Sequence, residues 1–259
     1  MKNIRIYGRT PYSVAVIHGG PGARGDMAPV AKELSKICGV LEPLQTVASI
    51  NGQVKELHLI LKRHSKLPVI LIGHSWGAWL SYVFAFRYPR FVRKLILVGS
   101  GPFEEKYVSR IMKSRQSHLN KEEKAELNNC IEVINNPIVK DRDVALEKFG
   151  NLMSKTDSYK PILTKTPVEV RYDIFQKVWQ EAEELRRSGK LLRLAKQVKC
   201  PVIAIRGDYD PHPYVGVIRP LSRTISGFQS ILLKKCGHYP WLEYYAQDKF
   251  YKILKKELT

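Results

Sequence analysis

The sequence predicts an α/β fold built on a mostly parallel sheet, and three observations carry that reading. Short runs rich in Val, Ile and Leu alternate along the chain with amphipathic segments of helical period. Several of the runs, such as Val69-Ile70-Leu71-Ile72 and Leu95-Ile96-Leu97-Val98, are apolar throughout, as strands covered on both faces are. The alternation stops between Phe103 and Gln197, where helical segments rich in Lys and Glu follow one another, and resumes after Cys200-Pro201.

Strands are expected at 13–17, 39–41, 68–72, 94–98, 201–206 and 230–234, and helices between them at 27–38, 53–63 and 76–88. Val30, Leu34 and Ile37 give the first helix its apolar stripe, with Asp26 as a candidate N-cap and Gly39 as a stop. Val54, Leu57 and Leu61 mark the second, and Pro89 ends the third. Inside the interruption, Thr166-Pro167-Val168-Glu169 reads as a helix start: a capping Thr, Pro at the first helical position, and Glu three residues after the cap. Val170, Ile174, Val178, Ala182 and Leu185 then form one stripe, which Phe175 and Trp179 widen. The expected organisation is a core from 1–102 and 198–259 with a helical insertion at 103–197.

The chain has 259 residues, 44% hydrophobic and 26% charged, which suits a globular protein and excludes disordered, collagen-like and coiled-coil classes. No apolar run approaches the roughly 20 residues of a membrane-spanning helix, so no membrane insertion is expected. The stretch 14–17 is too brief for a secretory leader, and the four dispersed cysteines, without a Cys-x-x-Cys pair, suit a reducing cytoplasm. The net charge of +19 comes from Lys and Arg interleaved with Glu, as in Lys121-Glu122-Glu123-Lys124. That is the pattern of solvated faces, and no nucleic-acid partner is expected.

Chemistry concentrates at strand ends. Gly73-His74-Ser75-Trp76-Gly77 stands between an apolar strand and a helix, where a sharp turn holds a Ser hydroxyl above the sheet and small residues two positions away let strand and helix approach. His18-Gly19-Gly20-Pro21-Gly22 ends another strand, and its glycines let backbone N–H groups come close to a substrate. Together they suggest an oxyanion hole from the N–H groups of Gly20 and Trp76. The loop lacks the Gly-Lys-Ser/Thr ending of a phosphate cradle.

A Ser nucleophile needs a base, and the base needs an orienting carboxylate. Among seven histidines, His58, His64 and His118 belong to polar segments, His74 is expected to pack beside the nucleophile, and His18 to support its loop. His238, in Cys236-Gly237-His238-Tyr239-Pro240 after the last strand, is favoured, with His212 between two prolines as its rival. The acid lies in Gly207-Asp208-Tyr209-Asp210-Pro211, where both Asp208 and Asp210 follow a strand.

The chain thereby resembles the α/β-hydrolase fold superfamily, and its His-Gly-Gly-Pro-Gly and Gly-x-Ser-Trp-Gly motifs resemble the proline iminopeptidase-like branch. The resemblance selects Asp210 as the acid, matches the base to His238, and implies that the insertion is a cap. The branch's usual Asp-x-Arg-Gly-x-Gly-x-Ser is absent; this chain has Glu42-Pro43-Leu44-Gln45-Thr46-Val47-Ala48-Ser49 there. An exopeptidase would also need cap acids for the substrate amine, for which Glu104, Glu105 and Glu181 are candidates.

The expectation is a cytoplasmic hydrolase, without metal or organic cofactor, that cleaves a small-molecule ester, thioester or amide. Ser75 is the nucleophile, His238 the base and Asp210 the orienting acid, with Trp179, Phe175 and Trp241 as pocket candidates. Carbon–carbon cleavage on the same triad and a non-catalytic basic binding role are the alternatives.

Overall fold

A computed structural model describes residues 3–136, 138–140, 142–163 and 168–258. The elements run β1 (Ile4–Tyr7), β2 (Tyr12–Ile17), β3 (Ala23–Arg24), α1 (Ala28–Leu34), β4 (Gly39–Pro43), α2 (Ile50–His64), β5 (Val69–His74), α3 (Trp76–Arg87) and β6 (Val92–Val98). Then come α4 (Ser109–Ser117), α5 (Lys121–Asn135), α6 (Asp143–Thr156), β7 (Glu169–Val170), α7 (Tyr172–Arg187) and α8 (Lys190–Arg193). The chain closes with β8 (Val202–Gly207), α9 (Val215–Ser222), β9 (Gln229–Leu233) and α10 (Gln247–Leu258).

Seven strands form one sheet in the order β1-β4-β2-β5-β6-β8-β9, all parallel except β1, which pairs antiparallel with β4. Apolar residues on both faces of the central strands produce two cores. Ala15, Ile17, Leu71 and Leu97 face a cluster with Trp79, Tyr82, Phe84, Val178 and Val217. Val14, Val16, Ile72 and Val98 face the other, with Met27, Leu34, Trp241 and Phe250. Ten of the twelve residues of α3 are buried, so the helix behind the Ser75 turn has no wet side and is fixed from all directions.

The six expected strands are all present. The leading strand β1 and the β3–β7 pair were not foreseen. The helix expected to open at Thr166 instead opens at Tyr172; Thr166 and Pro167 lie outside the described residues. Glu169 is a strand residue paired with Arg24, through Nε at 3.0 Å and through Nη2, and the Tyr172 N–H finds its acceptor in Asp143 at 2.7 Å. Partners distant in the sequence outbid the local capping pattern. A reciprocal cap does occur on α5, where Asn120 and Glu123 satisfy one another's N–H groups.

Candidate active site

β5 ends at His74, Ser75 adopts φ 50° and ψ −114°, and α3 begins at Trp76. A non-glycine residue with positive φ is strained, and the surroundings here leave no relaxed alternative. A Cβ on Gly73 would lie 2.2 Å from the Gly77 carbonyl oxygen, and one on Gly77 would lie 2.3 Å from the Ile17 and 2.4 Å from the His18 carbonyl oxygens. Only glycines permit the strand and helix to close on each other. The Ser75 N–H donates to the Val98 carbonyl at 2.9 Å, tying the turn to the end of β6.

The glycine loop after β2 is braced by side chains behind it. Asp26 accepts the Gly19 N–H on both oxygens at 3.2 Å and the His74 Nδ1–H at 2.8 Å. Asp26 is therefore not the cap of α1, whose N-cap is Met27 without a side-chain bond. His18 is fully buried; its Nδ1 donates to the Gly19 carbonyl at 2.8 Å and its Nε2 accepts the Gln45 N–H at 3.1 Å. Burial favours its neutral form and pushes its pKa down. Gln45 also accepts from Trp76 Nε1 at 2.8 Å. With the Gly19 N–H engaged, the Gly20 N–H makes no hydrogen bond to the described residues, and the Trp76 N–H is among those a helix start leaves without an internal partner.

The loop after β8 brings Asp210 to His238. His238 Nδ1 donates to Asp210 Oδ2 at 2.9 Å, which leaves Nε2 as a proton acceptor. Both side chains are essentially sealed from solvent. Burial alone would raise the Asp210 pKa, but the Arg206 guanidinium, 3.3 Å away, together with His238 and His212, holds it well below the usual carboxylate range. His238 lies against Gly99 at the end of β6, where an added Cβ would lie 3.0 Å from its Nδ1, and its ring centroid is 4.7 Å from that of His74. Ser75 and His238 thus share the end of the β5–β6 pair. Asp208, the other acid of the loop, turns to Lys234 and the Cys236 N–H instead.

His74 lies between Asp26 on Nδ1 and the His238 carbonyl oxygen, 3.1 Å from Nε2; both partners are acceptors, so the neutral ring donates to one of them at a time. Burial, against the pull of Asp26, lowers its pKa. His58, partly buried, stacks on Tyr88 at 4.2 Å, while His118 is exposed and stacks on Tyr209.

Of the pocket candidates, Phe175 and Trp179 stack on one face of α7, half-buried, at 6.3 Å. Trp241, by contrast, does not line a pocket: it is 1% exposed and packs against His74 and Phe250, because its loop folds inward onto α10. A cavity of about 360 Å³ opens beside the glycine loop, lined by Gly22, Gln45, Thr46 and Ile174 and by Arg24 and Arg171. Those two cations are already matched by Glu169 and Asp173. The three acids considered for an amine are also engaged: Glu104 with Lys106, Glu105 with Arg186, and Glu181 with the Ile50 N–H at 2.7 Å.

Polar residues that the motif reading passed over hold the base loop. Glu243, 1% exposed, accepts the Gly237 N–H (2.8 Å) and Tyr159 N–H (2.7 Å) on Oε1 and the Lys160 N–H (2.8 Å) on Oε2. The Asp157 carbonyl accepts the His238 N–H at 2.7 Å, while its carboxylate takes both arms of Arg115. No motif marks either residue in the sequence, and Asp157 stands far from His238 along the chain.

The chain matches known proteins along much of its length. The family model described as Hydrolase_4, serine aminopeptidase S33, matches residues 45–135. Monoacylglycerol lipase ABHD6 of Bos taurus is 26% identical over 200 residues, 73% of this chain and 56% of that protein, so the match spans about half the length of that curated relative. Among solved structures, VinJ superposes with a TM-score of 0.72 at 17% identity, covering 98% of this chain and 93% of that one. Proline iminopeptidase of Mycobacterium smegmatis does so with a TM-score of 0.64 at 20% identity, over 98% and 93%. Among the described residues no helix is long and apolar enough to cross a membrane. The sheet order, the strained Ser at the β5–α3 junction and these superpositions agree: the chain has the α/β-hydrolase fold.

Proposed function

We propose that the protein is a serine hydrolase of small carboxylic esters that acts through Ser75, His238 and Asp210. The single observation that carries this reading is the strained Ser75 turn at the same sheet end as a sealed His238–Asp210 pair whose Nε2 is left to accept a proton. His238 takes the Ser75 proton as Oγ attacks the carbonyl carbon, forming the C–O bond and moving the π pair onto oxygen. The N–H groups of Gly20 and Trp76 receive that oxyanion, each worth a few kcal/mol in such sites. The imidazolium returns its proton to the leaving alkoxide as the tetrahedral adduct collapses. Water, activated by the same His238, then hydrolyses the acyl-enzyme. Asp210, held ionised, keeps His238 in the Nδ1–H tautomer.

Residues 103–197 are read as a cap that bounds the substrate space above α3.

Ser75→Ala is expected to cut kcat toward p-nitrophenyl esters by several orders of magnitude, on the scale of roughly 10⁶ where a triad nucleophile is lost, and to abolish labelling by a fluorophosphonate. Undiminished turnover or labelling in that variant removes the assignment.

A further inference from the structure

Asp210 serves more than one imidazole. His212, two residues along the same loop, donates from its backbone N–H (3.0 Å) and its Nδ1 (2.8 Å) to Oδ1, while His238 Nδ1 donates to Oδ2 at 2.9 Å. The two rings stack with centroids 4.6 Å apart and planes 28° from parallel. Arg206 supplies a third claim on the carboxylate. It is 4% exposed, its Nη2 lies 3.3 Å from Oδ2, and its Nε, Nη1 and Nη2 have no hydrogen-bond partner among the described residues. The mechanism above uses neither Arg206 nor His212.

We propose that His212 and Arg206 are positioning residues that divide the Asp210 carboxylate with His238 and so keep the base in its proton-accepting form at more acidic pH than an unshared Asp–His pair would. The physical reason is competition for one charge. An imidazolium at His238 is stabilised by the carboxylate it faces, and each donor or cation already satisfied by that carboxylate weakens the stabilisation. Arg206 adds direct repulsion of a second positive charge, and its side chain, like those of Asp210 and His238, is buried, where screening is weak. Part of the same carboxylate is also spent on holding the His212 ring parallel to the base.

The other groups around His238 frame the effect without supplying it. His74 and Tyr239 lie at ring distances of 4.7 and 5.1 Å, with Asp26 behind His74. On the insertion side, the Asp157 carbonyl meets the His238 N–H, its carboxylate is neutralised by Arg115, and Glu243 engages backbone N–H groups. Arg115 is a further cation of this surround whose charge bears on both His212 and Asp210.

The proposal rests on the triad reading, and its test separates the two. The acid limb of kcat/KM toward p-nitrophenyl acetate is measured alongside the NMR titration of the His238 ring protons, which needs no turnover. His212→Phe keeps a stacked ring without the donor, and both readouts should move up by about half a pH unit; Arg206→Gln should move them up by about one unit. His212→Asn restores a donor to Oδ1 and should return them to the wild-type position. Unmoved or downward-shifted titrations in folded His212→Phe and Arg206→Gln overturn the proposal, and equal shifts in His212→Phe and His212→Asn overturn the part assigned to His212. If Ser75→Ala leaves turnover intact, the triad reading falls, while the NMR titration still decides whether the carboxylate is shared. Arg206 and His212 are substituted separately, so a variant that fails to fold at one leaves the other to decide.

Discussion

Glu243→Gln is the sharpest test of how the base loop is held. The carboxylate is 1% exposed and takes three backbone N–H groups within 2.7–2.8 Å: Gly237 and Tyr159 on Oε1, Lys160 on Oε2. An amide of the same size can keep its oxygen at the Oε1 position and retain two bonds, but its nitrogen then faces the Lys160 N–H, donor to donor. One hydrogen bond to a charged acceptor is lost, worth about 1.5–3 kcal/mol, and the two survivors weaken. Neutralising the side chain also removes the cost of burying a charge, which offsets part of the loss. The balance is a destabilisation of about 2 kcal/mol, read as a lower urea midpoint at unchanged slope. Because Gly237 precedes His238, kcat should fall further than the small unfolded fraction explains. A urea midpoint within error of wild type would refute the idea that these three bonds fix the loop.

Gly77→Ala should cost about 3 kcal/mol or abolish folding, since its Cβ would meet two backbone carbonyl oxygens at 2.3 and 2.4 Å, neither of which can rotate away; thermal unfolding checks it. Asp26→Asn should lower stability by about 1–2 kcal/mol and slow ester hydrolysis, because one oxygen serving Gly19 or His74 becomes a donor; parallel unfolding and turnover measurements show whether both change. Stability should also depend on pH through His212, whose pKa burial lowers to about 4. An unfolded His binds a proton near pH 6.5 that the folded one refuses, so stability is complete above that pH and declines by up to about 3 kcal/mol as pH falls toward 4. Urea midpoints at pH 7 and pH 4.5 in wild type and His212→Asn test this, the variant being expected to flatten the slope.

The parts of the site that were legible in the sequence are those whose cause is local. Gly73 declares a turn because the conflict it avoids is with the helix that follows its strand, Gly77 makes room for the end of β2, and the strand ends at Asp210 and His238 follow from apolar runs. Asp26 and Glu169 show where that kind of reading stops. Each sits where a helix cap was expected, and a capping carboxylate is worth about 1 kcal/mol. Each is drawn elsewhere: Asp26 by Gly19, seven residues before it, and by the distant His74, and Glu169 by the distant Arg24. A buried N–H or imidazole left without an acceptor costs about 1–3 kcal/mol, more than an exposed helix start loses to water. The carboxylate therefore goes where its absence would cost most, and that place is set by burial, which one sequence does not display. The same reasoning accounts for Glu243 and Asp157, unremarkable as letters, which lie against the base because the N–H groups of Gly237 and His238 are buried and have no nearer acceptor. In this fold the nucleophile turn is signalled by a five-residue motif, while the surroundings of the base are specified by which polar groups the closed core leaves without water.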